Sequence, residues 1–355
     1  MNTIKKPLIF IVDDVPENIQ IAMSHLKELD CDFAYATSGE QALERIAATS
    51  PQLILMDVMM PGMSGFQVVE ALTRSEKTCS IPVIFLTARA ESEDVVRGFN
   101  LGGVDYVTKP FKGVELRSRV RNHLELHAYR SNLERLVEER SREAELLKDV
   151  IIEAMGELAE YRDPETGSHI HRTRAYVQLL AEALVTQGHF LELLSKEYIV
   201  LLWKCAPLHD IGKVAIRDSI LLKPGKLTPE EFEDMKMHAQ YGEEVIANLE
   251  QMAGKPTSFL SCAKDIAGSH HEKYDGSGYP RGLAGDAIPL AGRIMAIADV
   301  YDALISKRVY KNSLSHEEAM AIMLEGKGTH FDPILIDAFL VVEPHFRQIA
   351  ANNLD

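Results

Sequence analysis

Residues 1–122 alternate between two hydrophobic periods. Leu8-Ile9-Phe10-Ile11-Val12 is apolar without interruption, the pattern of a strand buried on both faces, and helical spacing follows over 16–29. Four further short apolar runs, 33–36, 53–56, 83–86 and 104–107, each precede a stretch of helical period. Five such units predict an α/β domain, a doubly wound five-stranded parallel sheet of flavodoxin-like type with helices on both faces. Ligands of such sheets sit at the carboxyl ends of the strands.

The pattern changes at 123. Leu133, Val137, Arg140, Ala144, Leu147, Ile151, Ala154 and Leu158 recur at a 4-3-4-3 spacing, and neither Gly nor Pro interrupts the chain between Val114 and Met155. This predicts a long coiled-coil helix over 123–155, about 50 Å at ~1.5 Å per residue, whose seam packs on a second copy of the chain. Residues 156–355 show helical period over 172–187, 229–251 and 291–305, with no alternating pattern, and read as an all-α bundle. The expected organisation is therefore multidomain, with boundaries 1–122, 123–155 and 156–355.

Composition narrows the classes. Of 355 residues, 46% are hydrophobic, enough for packed cores and too many for a disordered chain. No apolar run approaches the ~18 residues of a membrane span, and the run behind Lys5 and Lys6 is too short for a signal peptide. A cytoplasmic protein without membrane contact is expected. The net charge of −15 argues against nucleic acid as a partner. Cys31, Cys79, Cys205 and Cys262 show no CxxC spacing, so neither a disulfide framework nor a zinc ribbon is expected.

Two constellations carry chemistry. In the first, Asp13 and Asp14 end the first strand and Asp57 the third, which brings three carboxylates side by side. They repel one another unless a cation lies between them, and all-oxygen ligation suits Mg²⁺. Thr87 ends the fourth strand and Lys109, followed by Pro110, the fifth. Lys109 can reach a phosphoryl oxygen as a point charge. Together they describe an aspartate that accepts a phosphoryl group.

The second constellation is His209-Asp210, His238, His270-His271 and Asp299, with Glu165 and His169 four apart. Ten of the 13 histidines follow residue 155. Asp163 as a cap and Pro164 at the first helical position would start a helix there, placing Glu165 and His169 on one face. His with Asp and Glu, and no Cys, favours a first-row divalent metal such as iron or manganese over structural zinc. More than five candidate ligands imply at least two ions, and a dinuclear site can clamp a phosphodiester and activate water.

The stretches Ile11-Val12-Asp13-Asp14, Met56-Asp57-Val58-Met59-Met60-Pro61, Leu86-Thr87-Ala88 and Thr108-Lys109-Pro110-Phe111 resemble the receiver domain of two-component response regulators, over 7–125. The resemblance implies Asp57 as phospho-acceptor and a histidine kinase as phosphodonor. It also implies Mg²⁺ on Asp14, Asp13, Asp57 and the Met59 carbonyl. Thr87, Lys109 and Tyr106 would be switch residues, with a cis bond at Lys109-Pro110.

Leu208-His209-Asp210-Ile211-Gly212-Lys213 is similar to the signature of HD-superfamily phosphohydrolases. His270-His271-Glu272-Lys273-Tyr274-Asp275-Gly276-Ser277-Gly278-Tyr279-Pro280 looks like the signature that names the HD-GYP family. Ile297-Ala298-Asp299-Val300-Tyr301-Asp302-Ala303-Leu304 and Phe331-Asp332-Pro333 also match, so the resemblance spans 150–343. It implies hydrolysis of cyclic di-GMP to pGpG or GMP, with metal ligands His169, His209, Asp210, His238, His270, His271 and Asp299, and with Glu165 on a third ion. His209, Asp210 and Lys213 would be catalytic, Lys213 lying near the attacked phosphate. Tyr279, Asp302, Arg308 and Lys311 match substrate-contacting positions, and the two cations suit a dianionic diester. Diguanylate-cyclase-type proteins are a further implied partner. Two alternatives stay open: a non-catalytic module that senses the messenger, and a hydrolase of another nucleotide.

Overall fold

The computed structural model describes residues 6–88, 92–161, 168–306 and 313–352. The chain divides into two compact units, Met1–Arg142 and Glu143–Asp355.

In the first unit, strands β1 (Leu8–Val12), β2 (Asp32–Ala36), β3 (Leu53–Asp57), β4 (Val83–Thr87) and β5 (Asp105–Thr108) form one parallel sheet in the order β2-β1-β3-β4-β5. The uninterrupted apolar runs reflect burial on both faces. Phe10, Val12, Ile54, Met56 and Phe85 face α2 (Gly39–Thr49) and α3 (Gly65–Thr73), after α1 (Pro16–Leu26) in the chain. The alternate residues Ile9, Ile11, Leu53, Leu55, Ile84 and Leu86 pack with Ile19 and Leu26 of α1 and with Leu116 and Val120. Helix α4 (Ser92–Asn100) precedes β5. Val12 pairs with Met56, Asp57 with Leu86, and Thr87 with Thr108. That register puts the acidic residues and Thr87 at one edge of the sheet. Lys109-Pro110 is cis, as expected.

The expected helix over 123–155 is the interior of a longer one. Helix α5 runs from Gly113 to Tyr161, beginning in the first unit and ending in the second. Ion pairs one turn apart line it, including Arg130–Glu134 at 2.9 Å and Arg135–Glu139 at 2.6 Å. Each adds only a few tenths of a kcal/mol. Leu133, Val137, Leu147, Ile151 and Leu158 of the seam are all exposed.

The second unit is helical: α6 (Ser168–Thr186), α7 (Lys196–Cys205), α8 (Asp218–Leu221), α9 (Pro229–Met252), α10 (Ser258–Ser269), α11 (Leu290–Ile305), α12 (His316–Glu325) and α13 (Pro333–Asn352). Its core is aromatic where α6, α11 and α13 meet. Tyr176 stacks on Phe346 with centroids 4.3 Å apart, and Tyr301 meets Tyr176 edge-on. A capping box between Thr228 and Glu231, with Pro229 at the first position, fixes where α9 begins. All four cysteines are free. Among the described residues no helix is long and apolar enough to cross a membrane.

Candidate metal centre

Six segments of the second unit bring their polar side chains to one place. Helix α6 contributes His169, near its start. His209 and Asp210 lie between two short 3₁₀ turns, Ala206–Leu208 and Ile211–Ala215. Helix α9 carries His238, and His270 and His271 directly follow α10. Helix α11 carries Asp299 and Asp302, while the last turn of α5 adds Glu160. Gly212 is required by close approach: a Cβ there would lie 1.9 Å from the His238 carbonyl oxygen. Only glycine lets the His209-Asp210 turn sit this tightly on α9.

Hydrogen bonds fix the histidine tautomers. Nδ1 of His209 lies 2.9 Å from the Ala206 carbonyl, and Nδ1 of His238 lies 2.7 Å from that of Met235. Nδ1 of His270 lies 3.0 Å from the Ile266 carbonyl, and Nδ1 of His169 lies 2.7 Å from Asp302 Oδ2. Carbonyl and carboxylate oxygens only accept, so Nδ1 carries the proton and each Nε2 presents a lone pair.

Those lone pairs converge on carboxylates. Asp210 Oδ2 lies 3.2 Å from His209 Nε2, while Oδ1 lies 3.2 Å from His238 Nε2 and 3.6 Å from His270 Nε2. Asp210 thus spans two ligand groups: Asp210, His238, His270 and His271 on one side, and Glu160, His169 and His209 on the other. Asp299 Oδ1 lies 3.7 Å from His169 Nε2 and 4.0 Å from His209 Nε2. Asp210 Oδ1, His238 Nε2 and His270 Nε2 are buried without a hydrogen-bond partner. Native folds rarely leave such atoms unsatisfied. A nitrogen and oxygen donor set without thiolate is compatible with divalent metal ions.

The electrostatics agree. Burial lowers the proton affinity of His270 and takes His271 well below the usual histidine range, keeping both neutral. Burial also opposes ionisation of Asp210, but Lys213 Nζ at 2.8 Å and His209 overrule it and hold the carboxyl well below its ordinary range. For His209 burial is likewise outweighed, here by Asp210 and Asp299, which raise its pKa. The negative field that attracts a proton there attracts a cation too.

Of the residues singled out in the sequence, His169, His209, Asp210, His238, His270, His271, Asp299 and Lys213 gather here. Glu165, with Asp163 and Pro164, lies outside the described residues, as do Arg308 and Lys311. Tyr279 stands beside the cluster, its ring 4.8 Å from that of His271. Asp302, expected to touch substrate, has a side chain 1% exposed, with oxygens 2.7 Å from His169 Nδ1 and from Arg172 Nε. Three residues went unnoticed. Arg172 anchors Asp302. Glu272 accepts from the backbone N–H groups of Arg281 and Leu283 and ties down the loop bearing Tyr279. Glu160 was hidden among the glutamates of α5, although it follows Ile152, Gly156 and Ala159 on the buried stripe.

The first unit holds the other constellation. Ligand atoms of Asp13, Asp14 and Asp57 lie within 4.8 Å of one another. Lys109 Nζ is 2.6 Å from Asp13 Oδ2 and 2.9 Å from Asp57 Oδ2. Burial raises the Asp57 pKa, against the pull of Lys109. Thr87 is buried nearby, next to an apolar hollow lined by Val58, Phe66, Phe85, Phe99 and Tyr106.

Comparison with known proteins bears on both units. The sequence profile of the HD domain matches residues 153–335, and that of the response regulator receiver domain matches 9–121. The whole chain is 48% identical to a probable cyclic di-GMP phosphodiesterase of Vibrio cholerae, covering 82% of that protein. It is 37% identical to the cyclic di-GMP phosphodiesterase response regulator RpfG of Xanthomonas campestris, over 96% of this chain and 89% of the other. A 3'3'-cGAMP-specific phosphodiesterase 2, also from Vibrio cholerae, is 38% identical over 70% of this chain and 45% of its own.

Proposed function

Because this chain belongs to the family of response regulators that join a receiver domain to an HD domain, we propose that it hydrolyses cyclic di-GMP under the control of phosphorylation at Asp57. The observation that carries this reading is Asp210, which turns one oxygen to His209 and the other to His238 and His270. Two adjoining ligand groups that share one carboxylate would suit a pair of divalent cations. Bound there, iron or manganese ions would offset the diester's charge and lower the pKa of an attacking water.

The chain's own residues supply the rest. Asp302, anchored by Arg172, keeps the His169 lone pair turned inward. Lys213 neutralises Asp210 and donates to a phosphoryl oxygen from the same position. Glu272 fixes the loop that sets Tyr279 against His271, giving a base an aromatic neighbour.

In the receiver, Asp13, Asp14, Asp57 and the Met59 carbonyl would hold Mg²⁺, which would offset charge while Asp57 takes a phosphoryl group from a histidine kinase. Thr87 and Lys109 then bind the new oxygens, and Tyr106 turns toward the hollow beside Thr87. Tyr106 neighbours Asp105, whose Oδ1 accepts from Arg119 of α5 at 2.7 Å. That tie hands the rearrangement to the helix. The exposed seam of α5 pairs with a second copy in the cytoplasm. The domains follow the boundaries 1–122, 123–155 and 156–355.

The test incubates full-length protein anaerobically with cyclic di-GMP or 3'3'-cGAMP, with Fe²⁺ or Mn²⁺ added. Faster turnover of cyclic di-GMP to pGpG or GMP supports the proposal. Preference for 3'3'-cGAMP reassigns the substrate. Binding without turnover of either makes the domain a sensor.

A further inference from the structure

We infer that Glu160 is a ligand of the cation held by His169 and His209. This rests on the metal-dependent reading above and adds a residue that neither the sequence motifs nor the family resemblance assigns.

Glu160 is 3% exposed, and neither carboxylate oxygen has a hydrogen-bond partner among the described residues. Burial pushes the Glu160 carboxyl up to about 7, against the pull of His169 and His209, and a nearby cation would favour its ionised form. His169 Nε2 lies 3.5 Å from Glu160 Oε1. That nitrogen is not a donor, because the ring proton is held on Nδ1 by Asp302. His209 Nε2 lies 3.5 Å from His169 Nε2, and its Nδ1 faces the Ala206 carbonyl. Glu160, His169 and His209 each bring a ligand atom within 4.8 Å of the other two, and Asp299 Oδ1 lies 3.7 Å and 4.0 Å from the two nitrogens.

Protonating Glu160 does not resolve the contact. A hydroxyl donating to nitrogen makes a bond of about 2.8 Å, and 3.5 Å is too long. A shared cation does resolve it. Ligands about 2.1 Å from one ion stand roughly 3.0–4.2 Å from each other, depending on the angle between them. The observed separations of 3.5–4.0 Å fall in that span. The group of Glu153, Glu157 and His171 on neighbouring turns is a useful contrast. It is largely exposed, so water meets its polar atoms and no ion is called for.

The experiment counts and ranks Mn²⁺ sites in the full-length protein. An Asp14→Ala background removes the receiver's cation site. Metal-stripped protein is titrated with Mn²⁺ alone, by calorimetry and by the electron-spin signal of free Mn²⁺. Glu160→Gln, which keeps the volume, should lose one Mn²⁺ or bind it at least about tenfold more weakly. The ion on His238, His270 and His271 should be unchanged. Glu160→Met removes the charge at similar length and should give the same loss with an unchanged or higher melting temperature without metal, separating ligation from packing. It also decides the matter if the Gln variant does not fold. Wild-type Mn²⁺ binding in both variants overturns the inference and leaves the proposed function standing. Loss of the equivalent in Glu165→Gln but in neither Glu160 variant also overturns it. A parent protein that binds no Mn²⁺ overturns the proposed function as well.

Discussion

In the receiver, Lys109 Nζ stands 2.6 Å from Asp13 and 2.9 Å from Asp57, so a cation of the chain itself already answers two of the three carboxylates. In the helical unit, Asp210, His238 and His270 each keep a buried atom with no hydrogen-bond partner, and Lys213 reaches only one oxygen of Asp210. Both places concentrate negative charge, yet they differ in how far protein groups satisfy it. The receiver pocket has a cation of its own chain between two of its carboxylates. The helical centre has a donor set compatible with divalent cations, and on the proposed reading metal binding is coupled to its stability.

The sharpest way to break this contrast is His209→Ala with Asp210→Ala. Removing the bridging carboxylate and its neighbour should lower cyclic di-GMP turnover by roughly three orders of magnitude, about 4 kcal/mol of barrier. Metal content should fall with it, while acetyl-phosphate labelling of the receiver continues. A smaller effect is expected at Asp302→Asn. The amide cannot hold the Nδ1 proton of His169 as firmly, so metal affinity and activity should drop about 10- to 100-fold, as measured by Mn²⁺ titration and product chromatography.

The helix between the units gives the next test. Leu147→Asp with Ile151→Asp places like charges across the proposed seam, and sedimentation should show self-association weakened by at least about tenfold. A chain that is monomeric before substitution, with and without phosphorylation, removes the basis for signalling through dimer packing.

The smallest effect concerns Asp57. Its folded pKa is raised, chiefly by burial, so the ionised form destabilises the receiver at any pH above both the folded and unfolded values. In chelator at neutral pH, Asp57→Asn should therefore raise the receiver's melting temperature. The difference should vanish as pH falls through the ordinary carboxylate range. The same variant should accept no label from acetyl phosphate. A lower melting temperature at neutral pH would mean that the Asp57–Lys109 pair outweighs desolvation.

The strands were legible because a sheet covered on both faces demands uninterrupted apolar runs, and β1, β3 and β4 are buried at every residue but Leu8. Adjacent polar residues such as His209-Asp210 stood out because ordinary cores do not contain them. What escaped notice depended on burial. Asp302 follows Asp299 by three residues on α11, and only the fold shows that it turns to Arg172 rather than to solvent. Glu160 looks like one more surface glutamate of α5 until the spacing from Ile152 and Gly156 is followed into the last turn.

The central claim is that the second unit is a cyclic di-GMP phosphodiesterase whose action depends on cations held around Asp210. It is tested most directly by measuring metal content and cyclic di-GMP hydrolysis on the same anaerobically purified samples, before chelation, after it, and after Fe²⁺ or Mn²⁺ is returned. The account predicts at least two equivalents of metal per chain beyond any in the receiver, hydrolysis that disappears with them, and recovery when they return. Undiminished hydrolysis by protein stripped of metal would contradict it.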